Sequence, residues 1–110
     1  LEDARDLLLR LSKQGIDFDA VVTSDDSLAV GAVKYAHAKG ISVPDQLSII
    51  GYNNSLLSRC TDPEITSIDS RVETLCTTTV KTLMEVFSGE SVPSRTTIAS
   101  DLIKRNTTNF

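Results

Sequence analysis

The chain has 110 residues, of which 40% are hydrophobic and 24% charged, and its formal net charge is −4. This composition is typical of one folded domain and excludes an intrinsically disordered chain. The basic residues form no run and do not alternate with aromatic residues, so we expect no direct contact with nucleic acid. No apolar stretch approaches the roughly 20 residues of a membrane span. Cys60 and Cys76 lack metal-ligand spacing, which predicts reduced thiols in an intracellular protein.

The first half of the chain alternates helical and strand patterns. Apolar residues at three- and four-residue spacing between Leu1 and Gly15 predict an amphipathic helix. The apolar run at 19–23 predicts a strand covered on both faces, and a second helix over about 28–39 precedes a buried strand at 46–52. This order predicts an α/β fold, with a parallel sheet flanked by helices.

The pattern changes after Tyr52. It predicts a loop, a short strand, a long amphipathic helix and two short tail strands, at residues 53–64, 65–68, 71–88, 96–98 and 102–104. Asp69 or Ser70 would cap the long helix. Because the chain starts at Leu1 inside a helical pattern, we expect it to be a segment of a longer protein.

Polar side chains follow two of the predicted strands. Asp25 comes after the first strand and Asn53 after the second. In parallel sheets ligands lie beyond the carboxyl ends of the strands, so both side chains should face one cleft. A carboxylate accepts hydrogen bonds and a carboxamide accepts and donates, which suits the hydroxyl groups of a sugar.

A plainer interpretation of these polar residues is structural. Asp25 or Asp26 would cap the following helix, and Asn53 would form a turn. One helix start needs only one cap, however, which leaves the other carboxylate available.

Catalytic and metal-binding chemistry receives little support. Asp25 and Asp26 are adjacent and have no third acidic residue or base nearby in the sequence. A phosphoacceptor receiver domain needs a lysine at a strand end, which is absent, and there is no Gly-rich phosphate loop. His37 fits a solvated helix position, and Cys60 has no adjacent base. The sequence therefore predicts no enzyme, no metal and no cofactor.

The segment from Ala20 to Asn54 carries a family resemblance. It reads AVVTSDDSLAVGAVKYAHAKGISVPDQLSIIGYNN, and it is followed in register by PEITSI at 63–68 and LIKRNTT at 102–108. In this order and spacing the motifs resemble the effector-binding core of lactose-repressor-type transcription regulators. The resemblance covers nearly the whole chain and implies part of a periplasmic-binding-protein-like type I fold. The stretch GYNNS at 51–55 resembles maltose-operon repressors of gram-positive bacteria.

The resemblance implies roles for individual residues. Asp25, Asn53 and Ser70 take the positions of ligand-binding residues, and Asp26 takes the position of the helix cap. The family usually has an aspartate where Asn53 stands, so this chain exchanges a charged hydrogen-bonding group for a neutral one.

The resemblance also implies an assembly. The expected dimer interface consists of residues from the second helix and the loop after the second strand: Leu28, Val30, Lys34, Cys60 and Thr61. Val33 is a further candidate, but it also fits this domain's own core. The helix at 71–88 would belong to the other lobe of a two-lobed domain, and exposed strand edges would pair with a second copy, as in a domain swap.

The function implied by the resemblance is effector sensing in a cytoplasmic, dimeric, sugar-responsive repressor. The effector would be a small saccharide, with maltose or a related sugar as the candidate, and it would modulate a helix-turn-helix headpiece that this chain lacks. DNA would be contacted only through that headpiece, and no membrane is involved. The alternative is a periplasmic-type sugar-binding protein of a transport system, which shares the fold.

Overall fold

The computed structural model describes residues 2–110 and confirms the predicted alternation of helices and strands. The elements are α1 Glu2–Lys13, β1 Ala20–Val22, α2 Asp26–Lys39, β2 Ser48–Tyr52, a short 3-10 helix Leu56–Arg59, β3 Thr66–Asp69, α3 Val72–Phe87 and β4 Asp101–Ile103. The part of the first predicted helix that falls on Leu1 lies outside the described residues. The glycine stop predicted for the second helix is confirmed, because Gly40 ends α2 in the left-handed conformation with φ 65°.

The sheet has the order β1-β2-β3-β4. Neighbouring strands among β1, β2 and β3 are parallel, and β4 runs antiparallel to β3. The α/β fold class is therefore confirmed, and β4 makes the sheet mixed. The predicted strand at 96–98 is wrong, since those residues form no strand and β4 already occupies the edge of β3.

The core lies where α2 crosses β2 and where α1 packs against α2. Small side chains on α2 allow this close approach. The buried apolar residues are Leu8, Ala29, Ala32, Val33, Tyr35, Ala36, Leu47, Ile49 and Ile65. Val33 is 3% exposed, so it fills this core as its alternative role predicted.

β1 is less covered than its apolar sequence predicts. Val22 is 70% exposed and Ala20 is also exposed. The expectation of a strand covered on both faces is wrong within residues 2–110, because Ala20 and Val22 point to the same face of the sheet and that face is left open there. β1 is also an edge strand, since among these residues it pairs with β2 only.

α3 stands apart from this core. None of its residues, all of which the structure describes, is buried. Its exposed large apolar side chains are Val72, Leu75, Val80, Leu83, Met84, Val86 and Phe87. The molecule is correspondingly elongated, with dimensions of 59 × 25 × 21 Å.

The start of α3 differs from the prediction. Arg71 occupies the N-cap position with φ 57°, and no side chain caps the helix there. The Oδ1 atom of Asp69 instead accepts a hydrogen bond from the Arg71 amide at 2.8 Å, before the helix begins. Capping by Asp69 or Ser70 is therefore wrong.

Candidate functional site

Asp25 and Asn53 meet beyond the C-terminal ends of the parallel strands, which is the side of the sheet called its carboxyl edge below. β1 and β2 are neighbours in parallel, so the residues that follow them emerge side by side. The Nδ2 atom of Asn53 donates a hydrogen bond to Oδ2 of Asp25 at 3.3 Å. The expected proximity of the two side chains is confirmed, whereas their role in ligand binding stays a prediction.

Asp25 is the residue that caps α2. Its backbone is extended, and its Oδ1 accepts a hydrogen bond from the Ser27 amide at 2.7 Å. Hydrogen bonds from Ser27, and to a smaller extent from Asn53, hold the pKa of Asp25 below its usual value. One oxygen therefore fixes the helix and the other faces Asn53. The assignment of the cap to Asp26 is wrong, because the Asp26 carboxylate points into the protein.

Asp26 is a buried carboxylate, with 1% of the residue exposed. Its Oδ2 accepts hydrogen bonds from the amide and hydroxyl of Ser55 at 2.6 and 2.8 Å, and its Oδ1 accepts one from the Ser67 hydroxyl at 2.6 Å. These bonds join the start of α2 to the loop after β2 and to β3. A buried carboxylate needs hydrogen-bond donors, and Asp26 has three from two residues, Ser55 and Ser67.

Gly51 is required by this carboxylate. A Cβ atom at position 51 would overlap Oδ1 of Asp26. The glycine in the GYNN sequence therefore makes room for Asp26 beneath the strand end.

The two asparagines after Tyr52 both have left-handed backbones, with φ 92° at Asn53 and 47° at Asn54. Asparagine adopts this region more readily than most residues. The backbone amide of Asn53 donates a hydrogen bond to the carbonyl of Ile68 at 2.8 Å, which ties the turn to β3. The exposed carboxamide of Asn53 is thereby presented at the edge of the sheet.

Asn54 points the other way and joins three segments. Its Nδ2 donates to Oδ2 of Asp69 at 3.2 Å, and its Oδ1 accepts from Arg105 at 2.5 Å. Its backbone amide donates to the Ser67 hydroxyl at 2.9 Å. The expectation that Asn54 forms the turn agrees with its left-handed φ, but its side chain does more than that.

Ser70 follows β3 at the same edge of the sheet, one strand further from β1. It is half-buried. Within the described part of the chain it is not a hydrogen-bond partner of Asp25 or Asn53, so a ligand would have to extend across β2 to contact all three.

The predicted interface residues lie on α2 and around the neighbouring 3-10 helix. Leu28 and Val30 are half-buried, and the Lys34 ammonium pairs with Glu2 at 2.9 Å. Cys60 is exposed with a free thiol, and the Thr61 hydroxyl donates to the carbonyl of Pro63 at 2.8 Å. Contact of these side chains with a second copy stays a prediction.

Metal-ligand clusters and membrane-spanning helices are both absent from residues 2–110. These residues contain no group of three or more His, Cys, Asp or Glu arranged to hold a metal ion. No helix formed by them is long and apolar enough to cross a membrane.

Sequence reasoning missed the hydrogen bonds made by the tail, which is the segment 104–110 after β4. Arg105 donates to the Ser58 hydroxyl and the Ile65 carbonyl at 3.0 and 2.9 Å, in addition to Asn54. Thr107 is fully buried and donates to the Ile49 carbonyl at 2.6 Å. The only available signal was the resemblance of 102–108 to a family motif, which marks the segment but not its partners.

Known proteins have similar sequences and folds. The family profile of the periplasmic binding protein-like domain matches residues 2–108. An HTH-type transcriptional regulator of Lachnoclostridium phytofermentans is 56% identical over 110 residues, which are 100% of this chain and 33% of that protein. The HTH-type transcriptional regulator MalR of Streptomyces coelicolor is 34% identical over 95 residues, which are 86% of this chain and 28% of that protein. A crystal structure of the lac repressor dimer bound to operator and the anti-inducer ONPF matches with a TM-score of 0.91 and 26% identity, over 97% of this chain and 37% of that one.

The chain therefore belongs to the periplasmic binding protein-like domain family. Within that family the resemblance to lactose-repressor-type transcriptional regulators is confirmed, and the similarity falls on their effector-binding core. The chain spans about one third of the length of the curated relatives that it matches.

Proposed function

We propose that this chain is the C-terminal part of the effector-binding domain of a sugar-responsive transcriptional repressor. The observation that carries the proposal is the pairing of Asp25 with Asn53 at the carboxyl edge of a parallel sheet. The relatives are transcriptional regulators, which favours this function over a transport protein of the same fold. The regulator would act in the cytoplasm.

The Asp25 and Asn53 side chains form a hydrogen-bonding pair that suits a saccharide. The carboxylate of Asp25 accepts from hydroxyl groups, and the carboxamide of Asn53 both accepts and donates. Ser70 would contact the part of the sugar that lies beyond β2. Maltose or a related sugar is our candidate, on the basis of the GYNNS sequence at 51–55.

The exposed apolar face of α3 supports a two-lobed protein. We propose that residues 71–88 pack on the other lobe and that the saccharide binds between the lobes. Closure of the lobes would then alter the DNA affinity of a helix-turn-helix headpiece outside this chain. A homodimer would form through Leu28, Val30, Lys34, Cys60 and Thr61.

Substitution of Asp25 tests the site in the longer protein. We expect Asp25→Ala to weaken saccharide binding by about 1–3 kcal/mol and to leave operator binding intact, because the Asn53 amide and the sugar hydroxyls lose their acceptor. Isothermal titration calorimetry with maltose and related sugars gives the affinity. Unchanged affinity in this variant would refute the role of Asp25.

Two further variants separate binding from helix capping. Asp25→Ser keeps a good cap, so it should restore stability lost in Asp25→Ala while sugar affinity remains low. Asp45→Ala removes the same charge from an exposed turn at the opposite end of β2 and should bind sugar normally.

The pH dependence follows from the lowered pKa of Asp25. Because this pKa is lowered, the Asp25 carboxylate is charged at every pH above the one at which an ordinary aspartate titrates. Its contribution to sugar affinity should therefore be constant from about pH 5 to 8. Protonation removes that contribution only as the pH falls below the range in which an ordinary aspartate titrates.

A further inference from the structure

Asn54 is a point where the loop after β2, the end of β3 and the tail all meet. Its Oδ1 accepts from Arg105 at 2.5 Å, while its Nδ2 donates to Asp69 at 3.2 Å. The three side chains are half-buried, so they are partly withdrawn from competing water.

The partners of Asn54 require an amide. A guanidinium group can only donate and a carboxylate can only accept, so the residue between them must do both. A carboxylate at position 54 would still satisfy Arg105, but it would face the Asp69 carboxylate with no proton between them. Asp69 is thus the residue that excludes an acid at position 54.

The same carboxyl group of Asp69 controls the entry into α3. Its Oδ1 accepts from the Arg71 amide at 2.8 Å, where the backbone turns through φ 57°. On the other side, Asn54 is bonded directly to Asn53 in the chain, and both have left-handed backbones. A continuous path therefore runs from Asn53 through Asn54 and Asp69 to Arg71.

We propose that Asn54 is a positioning residue that fixes the Asn53 side chain in the saccharide site and couples it to the connection between β3 and α3. This proposal rests on the proposed function of Asp25 and Asn53. The coupling gives the site a direct mechanical link to the segment that leads into the other lobe.

Asn54→Asp tests the requirement for an amide. Aspartate tolerates the left-handed backbone, so the variant changes the hydrogen bonding and not the conformation that the turn needs. Repulsion between the new carboxyl group and Asp69 raises the pKa of one of them. At low pH the pair shares a proton, so the hydrogen bond between positions 54 and 69 persists. As the pH rises through that raised pKa the proton is lost and the protein loses stability.

Three measurements follow from this expectation. The unfolding midpoint of Asn54→Asp should match that of the unmodified chain near pH 4 and fall roughly 4–8 °C below it at pH 8. Hydrogen exchange at the Arg71 amide should accelerate about tenfold at pH 8, since its acceptor is displaced. In the longer protein, the affinity for saccharide should fall about tenfold at pH 8.

Exchanging the charged and the neutral side chain between positions 54 and 69 should rescue the Asn54→Asp variant. In Asn54→Asp combined with Asp69→Asn, the carboxylate at position 54 accepts from both neighbours, and the amide at position 69 can still accept from the Arg71 amide. The double variant should regain the exchange rate at Arg71, a flat pH profile and the sugar affinity. Asn109→Asp makes the same chemical change at an exposed tail position and should resemble the unmodified chain throughout.

The outcomes separate the two proposals. If Asn54→Asp behaves like Asn109→Asp, or if the double variant recovers nothing, Asn54 does not act through Asp69 and the inference is overturned. A change at Arg71 without a change in sugar affinity also overturns it, because the link to Asn53 is then absent. Failure of the unmodified protein to bind any saccharide contradicts the proposed function. Hydrogen exchange at the Arg71 amide and its recovery in the double variant still test whether Asn54 acts through Asp69.

Discussion

Asp26 and Gly51 are matched across the end of the sheet. The carboxylate of Asp26 lies where a side chain at position 51 would begin, and it bonds Ser55 and Ser67 from there. The two residues depend on each other, because the space that the glycine leaves is filled mainly by the acid. The strand end, the loop and α2 therefore depend on a single close approach.

Gly51→Ala should destabilise the chain by about 1–3 kcal/mol, since the added methyl group displaces a buried carboxylate. Asp26→Ala should cost a similar amount through the hydrogen bonds that it removes. The decisive measurement is the urea unfolding of the double variant. Its free energy of unfolding should be close to that of Asp26→Ala, and a fully additive loss would show that the two positions do not interact.

At the scale of elements, the tail completes the sheet between β2 and β3. These strands pair from Ile50 and Thr66 onward. Just before that point Thr107 stands between them: its hydroxyl accepts from the Thr66 amide at 2.9 Å and donates to the Ile49 carbonyl, while its own carbonyl accepts from the Ile49 amide. A single threonine thus provides the hydrogen bonds that the diverging strands cannot give each other.

Thr107→Val should lower the free energy of unfolding by about 2–4 kcal/mol. Valine has nearly the same shape, but it leaves the buried Thr66 amide and one bond of the Ile49 carbonyl without a partner. Chemical denaturation measures the loss, and Thr97→Val at an exposed position is the control. Equal midpoints for the two variants would contradict the bridging role of Thr107.

The elements of the fold were predictable to different degrees. The periodicity of α2 and the apolar run of β2 predicted both elements because local pattern and tertiary burial agree there. The strand expected at 96–98 failed because a strand needs a pairing partner, which no local pattern reports, and residues 96–98 pair with none of the four strands. β1 was predicted to be covered because its sequence is apolar, although covering it takes other segments.

The residues of the candidate site were also predictable from the sequence to different degrees. The positions of Asp25 and Asn53 followed from the rule that parallel strands present their ends together. The local pattern could not decide between Asp25 and Asp26 as the cap, and the family resemblance favoured the wrong one, because the choice depends on the partners of Asp26, one of which is 41 residues away in Ser67. The contact of Arg105 with Asn54 spans 51 residues and had no sequence signal of its own.

At the scale of the whole molecule, the chain consists of a packed sheet with two helices and a third helix that is poorly covered. The packed part contains all nine residues of the apolar core. α3 contributes no buried residue within the described chain. Local stability follows buried contacts, so the two parts should open with very different free energies.

Limited proteolysis of the 110-residue chain tests this difference. We expect trypsin to cleave after Lys81 in α3 well before Lys39 at the end of α2, although both side chains are exposed. In the longer protein Lys81 should become resistant, because α3 would pack on the other lobe. Mass spectrometry of the first fragments identifies the site, and equal resistance of Lys39 and Lys81 in the isolated chain would contradict the expectation.

The insertion of Thr107 between β2 and β3 also bears on how the chain folds. The contact between Thr107 and Ile49 closes a loop of 58 residues, so it forms late compared with the local contacts of α2. During synthesis β1, α2, β2 and β3 leave the ribosome before residue 107 does, and the sheet must wait with the Ile49 and Thr66 groups exposed. The nascent chain therefore passes through a stage in which its strands are present but the space between β2 and β3 is still open.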